Sequence, residues 1–246
     1  MAQLDNRYAP GYPARTGAAV DAGLRSYMLG VYNYMAAGVA LTGVTAYLTW
    51  MLAVSNGALT PFGEAIYTSP LRWVVMLAPL GFVLYMSFRA GTMSVGAAQI
   101  CFWAFAAIMG VSLSSIFLVF TGQSITQIFF VTAATFGALS LWGYTTKRDI
   151  SGWGSFLFMG VVVIILASLV NLFLQSSGLQ FAVSVIGVLV FAGLTAYDTQ
   201  RIKDGYSLVR GNAELVAKSA IMGALSLYLD FINMFVMLLN LFGNRN

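Results

Sequence analysis

The stretch AKSAIMGALSLYLDFINMFVMLLNLF, residues Ala217–Phe242, is long enough to cross a bilayer and carries an aspartate in its middle. A helix needs about 20 mostly apolar residues to span the hydrocarbon core. Gly223, Ser226, Asp230, Asn233 and Asn240 recur at helical spacings, so they share one face, and leucine, isoleucine, phenylalanine and valine cover the rest. A polar stripe on an apolar helix belongs against other helices or a cavity, which makes this helix central in a bundle. Interhelical hydrogen bonding is the plain reading of Ser226, Asn233 and Asn240. Asp230 is different, because a mid-membrane charge costs at least about 2.5 kcal/mol on insertion scales.

The whole chain fits such a solvent. Of 246 residues, 59% are hydrophobic and only 8% charged, with a mean hydropathy of +0.83. Soluble domains are about a quarter charged. Six further spans accompany the last one: Ser26–Val54, Leu71–Phe88 (interrupted by Pro79), Ser94–Phe120, Ser124–Tyr144, Trp153–Leu174 and Leu179–Ile202. These runs are too long for barrel strands and lack two-residue alternation. The fold class is therefore an all-α integral membrane protein, a seven-transmembrane-helix bundle. Residues 1–25, with two prolines and three glycines, read as a mobile cytoplasmic tail preceding a membrane domain over 26–243.

Charge sets an orientation. With a cytoplasmic N-terminus, inside segments carry Arg7, Arg15, Arg25, Arg89, Lys147, Arg148, Arg201, Lys203, Arg210 and Lys218, and outside segments only Arg72 and Arg245. The C-terminus then lies outside. The net charge of +4 reads as loop topology, not as nucleic-acid binding. Trp50, Trp73, Trp142, Tyr144 and Trp153 fall near span ends, as an interfacial belt would. Small residues repeat every fourth position, Ala106–Gly110–Ser114 on span three and Ala133–Gly137 on span four, and such stripes let helix backbones approach.

Histidine is absent, which excludes Ser-His-Asp and Cys-His catalysis, HExxH zinc sites and histidine pH switches. Cys101 sits in an apolar run and reads as a small buried hydrophobe. Two acidic residues fall inside spans: Asp198 on the sixth and Asp230 on the seventh. Arg89 ends span two and Arg201 follows Asp198 by three, so each is an anchor at a span end or a partner for a carboxylate. With these span ends, Asp198 lies about 6 Å and Asp230 about 20 Å from the inner surface. They meet only if helix six continues past Ile202 or helix seven starts early.

The strings AYDTQRIK (Ala196–Lys203) and ALSLYLDFINMFVMLLNLFG (Ala224–Gly243) resemble the signature of the Bax inhibitor-1 family, the transmembrane Bax inhibitor motif proteins. GVSLSSIF (Gly110–Phe117) and FFVTAATFGALSLWGYTTKRD (Phe129–Asp149) are similar to segments of its bacterial, YccA-like branch. The resemblance covers roughly residues 26–243. It implies a last helix surrounded by the other six, a bacterial plasma membrane, and a proton-sensitive aspartate pair matching Asp198 and Asp230. It also implies a pH-dependent calcium leak with a basic residue after the second helix, here Arg89, able to pair with the aspartates. Other members of the branch look like non-conducting regulators of a membrane-bound ATP-dependent protease.

Two close carboxylates in low dielectric share a proton and titrate in two steps. Losing the shared proton adds repulsion, which separates helices or recruits an arginine or a cation. Calcium takes six to eight oxygens. Asp198, Asp230 and Asn233 supply part of that shell, so weak, transient cation passage is expected, with no resident cofactor and no enzymatic role. The alternative chemistry for two such residues is intramembrane aspartyl proteolysis. Tyr197-Asp198 fits its first motif, but Leu227-Tyr228-Leu229 precedes Asp230 where those enzymes carry Gly-x-Gly.

Overall fold

The polar-striped segment lies in a continuous helix, α9 (Ala213–Phe242), in the computed structural model, which describes residues 17–89 and 91–246. It starts four residues earlier than expected because Asn212 caps it. The Asn212 Oδ1 accepts the backbone N–H groups of Glu214 and Leu215 at 2.9 and 3.2 Å. The most apolar window of α9 is 67% buried, against 11–39% for the other membrane-length helices, so α9 is the axis of the bundle.

Six other helices are long and apolar enough to cross a membrane among the described residues. They are α1 (Gly17–Ala53), α3 (Leu71–Arg89), α4 (Val95–Leu113) with its continuation α5 (Ile116–Val119), α6 (Gly122–Thr145), α7 (Trp153–Leu174) and α8 (Ser177–Val209). The expected tail falls outside the described residues up to residue 16, and α1 is already helical from Gly17. Four helices pack closely on α9, namely α1, α4, α6 and α8. The helices α3 and α7 lean instead on α4 and α8, and this separates them from each other.

Two connections carry structure of their own. The one after span one is a hairpin followed by a short helix. Val54–Ser55 pairs with Ala58–Leu59 across Asn56 and Gly57, both at positive φ (51° and 78°), the geometry a two-residue Asn-Gly hairpin requires. Thr60 then caps the short α2 (Pro61–Tyr67), with Pro61 at its first position. After span six no long loop exists, because α8 runs on to Val209 and only Arg210–Asn212 separates it from α9. At the other end of α9, the Thr121 N–H donates to the Asn244 carbonyl and the Asn246 N–H to that of Val119, tying the last residues to the start of α6.

Span three breaks at Ser114–Ser115. The buried Ser114 hydroxyl donates to the Val111 carbonyl (2.6 Å) and accepts from the Tyr67 hydroxyl (2.8 Å), a local bond that competes with the helix ladder. The small-residue stripe above it works as expected. Ala106 is fully buried, and its carbonyl accepts from the Thr42 hydroxyl at 2.8 Å, which in turn meets the Tyr228 hydroxyl at 2.6 Å. On span four Ala133 packs against the core, but Gly137 does not. A Cβ on Gly137 would meet nothing within 4 Å, because α1 and α6 pack on α8 and α9 rather than on each other. The close approach of α6 is at Gly143, against the Ala196 carbonyl.

Candidate functional site: an aspartate-lined cavity

The register of α8 against α9 decides whether the two aspartates meet. Gly223 stands against Ile202, and Gly187 against Met237, so the antiparallel pair runs in step over some fifteen residues. Asp198, four residues before Ile202, is then level with Leu227, four after Gly223. Asp230 lies three residues further along, about 4.5 Å at 1.5 Å per residue. The separation in depth expected from the sequence thus shrinks to less than one turn. The cause is the one the sequence left open: α8 continues beyond Ile202 and α9 begins early.

Both carboxylates line one cavity of about 900 Å³. Its walls are α3, α7, α8 and α9, with α4 contributing Met109 and Ser112. It occupies the gap left because α3 and α7 do not close on each other. Along α7 it extends from Gly154 to Ser168, about 21 Å of a hydrocarbon core roughly 30 Å thick.

The two aspartates have different surroundings. Asp198 is buried, and Arg201 reaches it at 3.1 Å. The guanidinium also donates to the Ser226 hydroxyl at 3.3 Å and lies over the Tyr197 ring, 5.6 Å from its centroid. Arg201 therefore ties α8 to the polar stripe of α9 at the basic end of the cavity. Asp230 is 4% exposed, and its Oδ2 is buried without a hydrogen-bond partner. An orphaned carboxylate oxygen is costly unless a proton or a cation meets it.

The other singled-out residues divide. Ser226 and Asn233 line the cavity, but Asn233 donates back to the Leu229 carbonyl (2.8 Å) instead of across to another helix. Asn240 lies beyond the cavity and has no side-chain hydrogen bond among the described residues, so the interhelical bonding expected of the asparagines is absent there. Arg89 is exposed at the end of α3 and does not line the cavity, whose α3 lining ends at Val83, six positions earlier. Among the described residues no three His, Cys, Asp or Glu side chains cluster, so the two aspartates do not form a complete metal shell.

A second cavity of about 430 Å³ lies beyond the first, lined by Tyr67, Arg72, Ser115 and Leu172 among others. Met76 and Ser112 line both cavities, so the two meet there. Sequence reading passed over both residues: a methionine in an apolar span and a serine among small residues carry no signal until the helices are placed.

Residues 24–246 match the family model described as "Inhibitor of apoptosis-promoting Bax1". The chain is 46% identical over 226 residues to the "Inner membrane protein YbhL" of Escherichia coli strain K12, covering 91% of this chain and 94% of that one. It is 48% identical to the uncharacterized protein RP147 of Rickettsia prowazekii, over 92% of each chain. An uncharacterized protein of Caulobacter vibrioides is 45% identical over 100% of this chain and 99% of its own.

Proposed function

The chain belongs to the Bax inhibitor-1 family, and from that premise we propose that it is a pH-sensitive leak for calcium or related cations in a bacterial inner membrane, gated at Asp198 and Asp230. The observation that carries this reading is the orphaned Asp230 Oδ2, buried on the wall of a cavity that Asp198 also lines. A carboxylate with no protein hydrogen-bond partner, on a residue that lines a cavity, is suited to exchange a proton for a partly hydrated cation. Two carboxylates are too few to hold calcium tightly, which suits passage better than storage. The membrane assignment draws on the relative named as an inner membrane protein. The orientation, with the basic end cytoplasmic, draws on the lysines and arginines gathered there.

In this mechanism a proton shared at the carboxylates keeps the cavity near neutral. Its loss adds negative charge to a low-dielectric space, and either Arg201 or an entering cation must answer it. Arg201 already stands at Asp198, so it competes with the cation. Calcium influx into liposomes, measured at several pH values, tests the proposal. Wild-type flux is expected to rise with pH, and Asp230→Asn or Asp198→Asn to flatten that dependence. Flux that ignores both substitutions and pH overturns the gating role. Arg201→Gln is expected to raise flux severalfold at the higher pH values, because the competing charge is gone while Asp198 remains.

A further inference from the structure

A groove of about 520 Å³ separates α1 from α6 on the opposite flank from the aspartate cavity. We propose that it is a binding site for an anionic phospholipid of the leaflet at the basic end of the bundle. Its volume is within the range of small-molecule sites. Its rims are apolar and open: Leu29 and Leu141 both line it and are 51% and 63% exposed. Gly137 forms part of its wall, and the empty space beside its Cα is what an acyl chain would fill.

The charge is at one end only. Arg25 lines the groove together with Tyr144 of the last turn of α6. Lys203 stands beside Tyr144, donating to its carbonyl at 2.9 Å, with the ammonium 5.8 Å from the ring centroid. Lys203 is thus engaged behind the groove, and Arg25 is the one charged side chain that lines it. A guanidinium at the end of an apolar slot complements a phosphate above acyl chains, and a basic pocket between spans recognises that headgroup class. Midway along, the Tyr32 and Ser140 hydroxyls bond at 2.7 Å and Ser140 meets Thr199 at 2.9 Å. The polar groups that hold α1, α6 and α8 together are thus already partnered, and the slot they leave offers chains rather than hydrogen bonds.

Delipidated protein in detergent, titrated with phosphatidylglycerol or phosphatidylcholine and read by native mass spectrometry, tests the site. Wild type is expected to bind phosphatidylglycerol about fivefold more tightly than phosphatidylcholine, the worth of one nearby basic residue. Arg25→Gln should remove that preference, and Gly137→Leu should reduce binding of both lipids. Glycerol phosphate, which has the headgroup charge without chains, should not compete. Equal wild-type binding of the two lipids overturns the proposal, as do competition by glycerol phosphate and undiminished binding by Gly137→Leu. Arg25 is exposed near the start of α1, so its substitution keeps the test alive should the leucine variant fail to fold.

Discussion

Replacing Gly110 by valine is expected to cost this protein about 3 kcal/mol or more of stability in detergent, enough to lose most of the folded material on mild heating. A Cβ at Gly110 would sit 2.6 Å from the Thr42 carbonyl and closer still to the Thr45 hydroxyl. The first neighbour is backbone and cannot swing away. Overpacking a tight contact costs typically 1–3 kcal/mol, about that range here before other losses are counted. The same shift would strain the bonds from the Thr42 hydroxyl to the Ala106 carbonyl and to Tyr228, which join α1, α4 and α9. Gly137→Ala provides the contrast. It meets open space, and removing a helix-interior glycine is worth about 0.5–1 kcal/mol, so that variant should be more stable than wild type. Fluorescence-detected size exclusion after a temperature series reads both. Equal melting of the two variants would overturn the tight α1–α4 contact at Gly110.

Those two glycines mark where the sequence was legible. Both sit in small-residue stripes of the same spacing, and spacing alone does not say whether a neighbour arrives. Fold class, the seven spans and the central place of α9 followed from apolar length and from one polar face, because hydrocarbon accepts few other arrangements of backbone. Span ends were less legible. The segment RIKDGYSLV after Asp198 is too polar to count as membrane-spanning, yet nothing in it breaks a helix, and α8 runs through it to Val209. That extension is what moves Asp198 into register with α9. The Asn56-Gly57 hairpin carries a strong local signal of a different kind, in the connection between the first two spans.

The candidate site was legible by cost. Asp198 and Asp230 are expensive in lipid, and both line a single cavity. Their neighbours were not, because they matter through position. Tyr197 reads only as the residue before Asp198 in a protease-like pair until Arg201 is seen over its ring. Arg89 and Arg201 looked equivalent as basic residues at span ends, but α8 runs on past Arg201 and holds it at Asp198, whereas Arg89 lies beyond the part of α3 that lines the cavity.

The second large effect is expected at Met76, where the two cavities meet. If cations leak through this protein, their route runs along α7 from Gly154 to Leu172, about 27 Å, through both cavities in series. Met76 and Ser112 form the join. Both flanking helices are irregular near this level. Pro79 cannot donate to the Val75 carbonyl, which removes one rung of α3 one position before Met76, and α4 ends at Leu113, one residue past Ser112. Helices that are interrupted beside a cavity leave carbonyl oxygens available to an ion. An apolar side chain at such a constriction resists ions by excluding water. Met76→Ala should therefore raise liposome calcium flux about tenfold, which asks for only about 1.4 kcal/mol of barrier. Met76→Phe should lower it. Because Asp198 and Asp230 remain, the alanine variant should keep its pH dependence, so the ratio of flux between two pH values matches wild type while both rates rise. If both Met76 variants leak at the wild-type rate while Asp230→Asn still flattens the pH response, the aspartates gate a path that does not pass Met76.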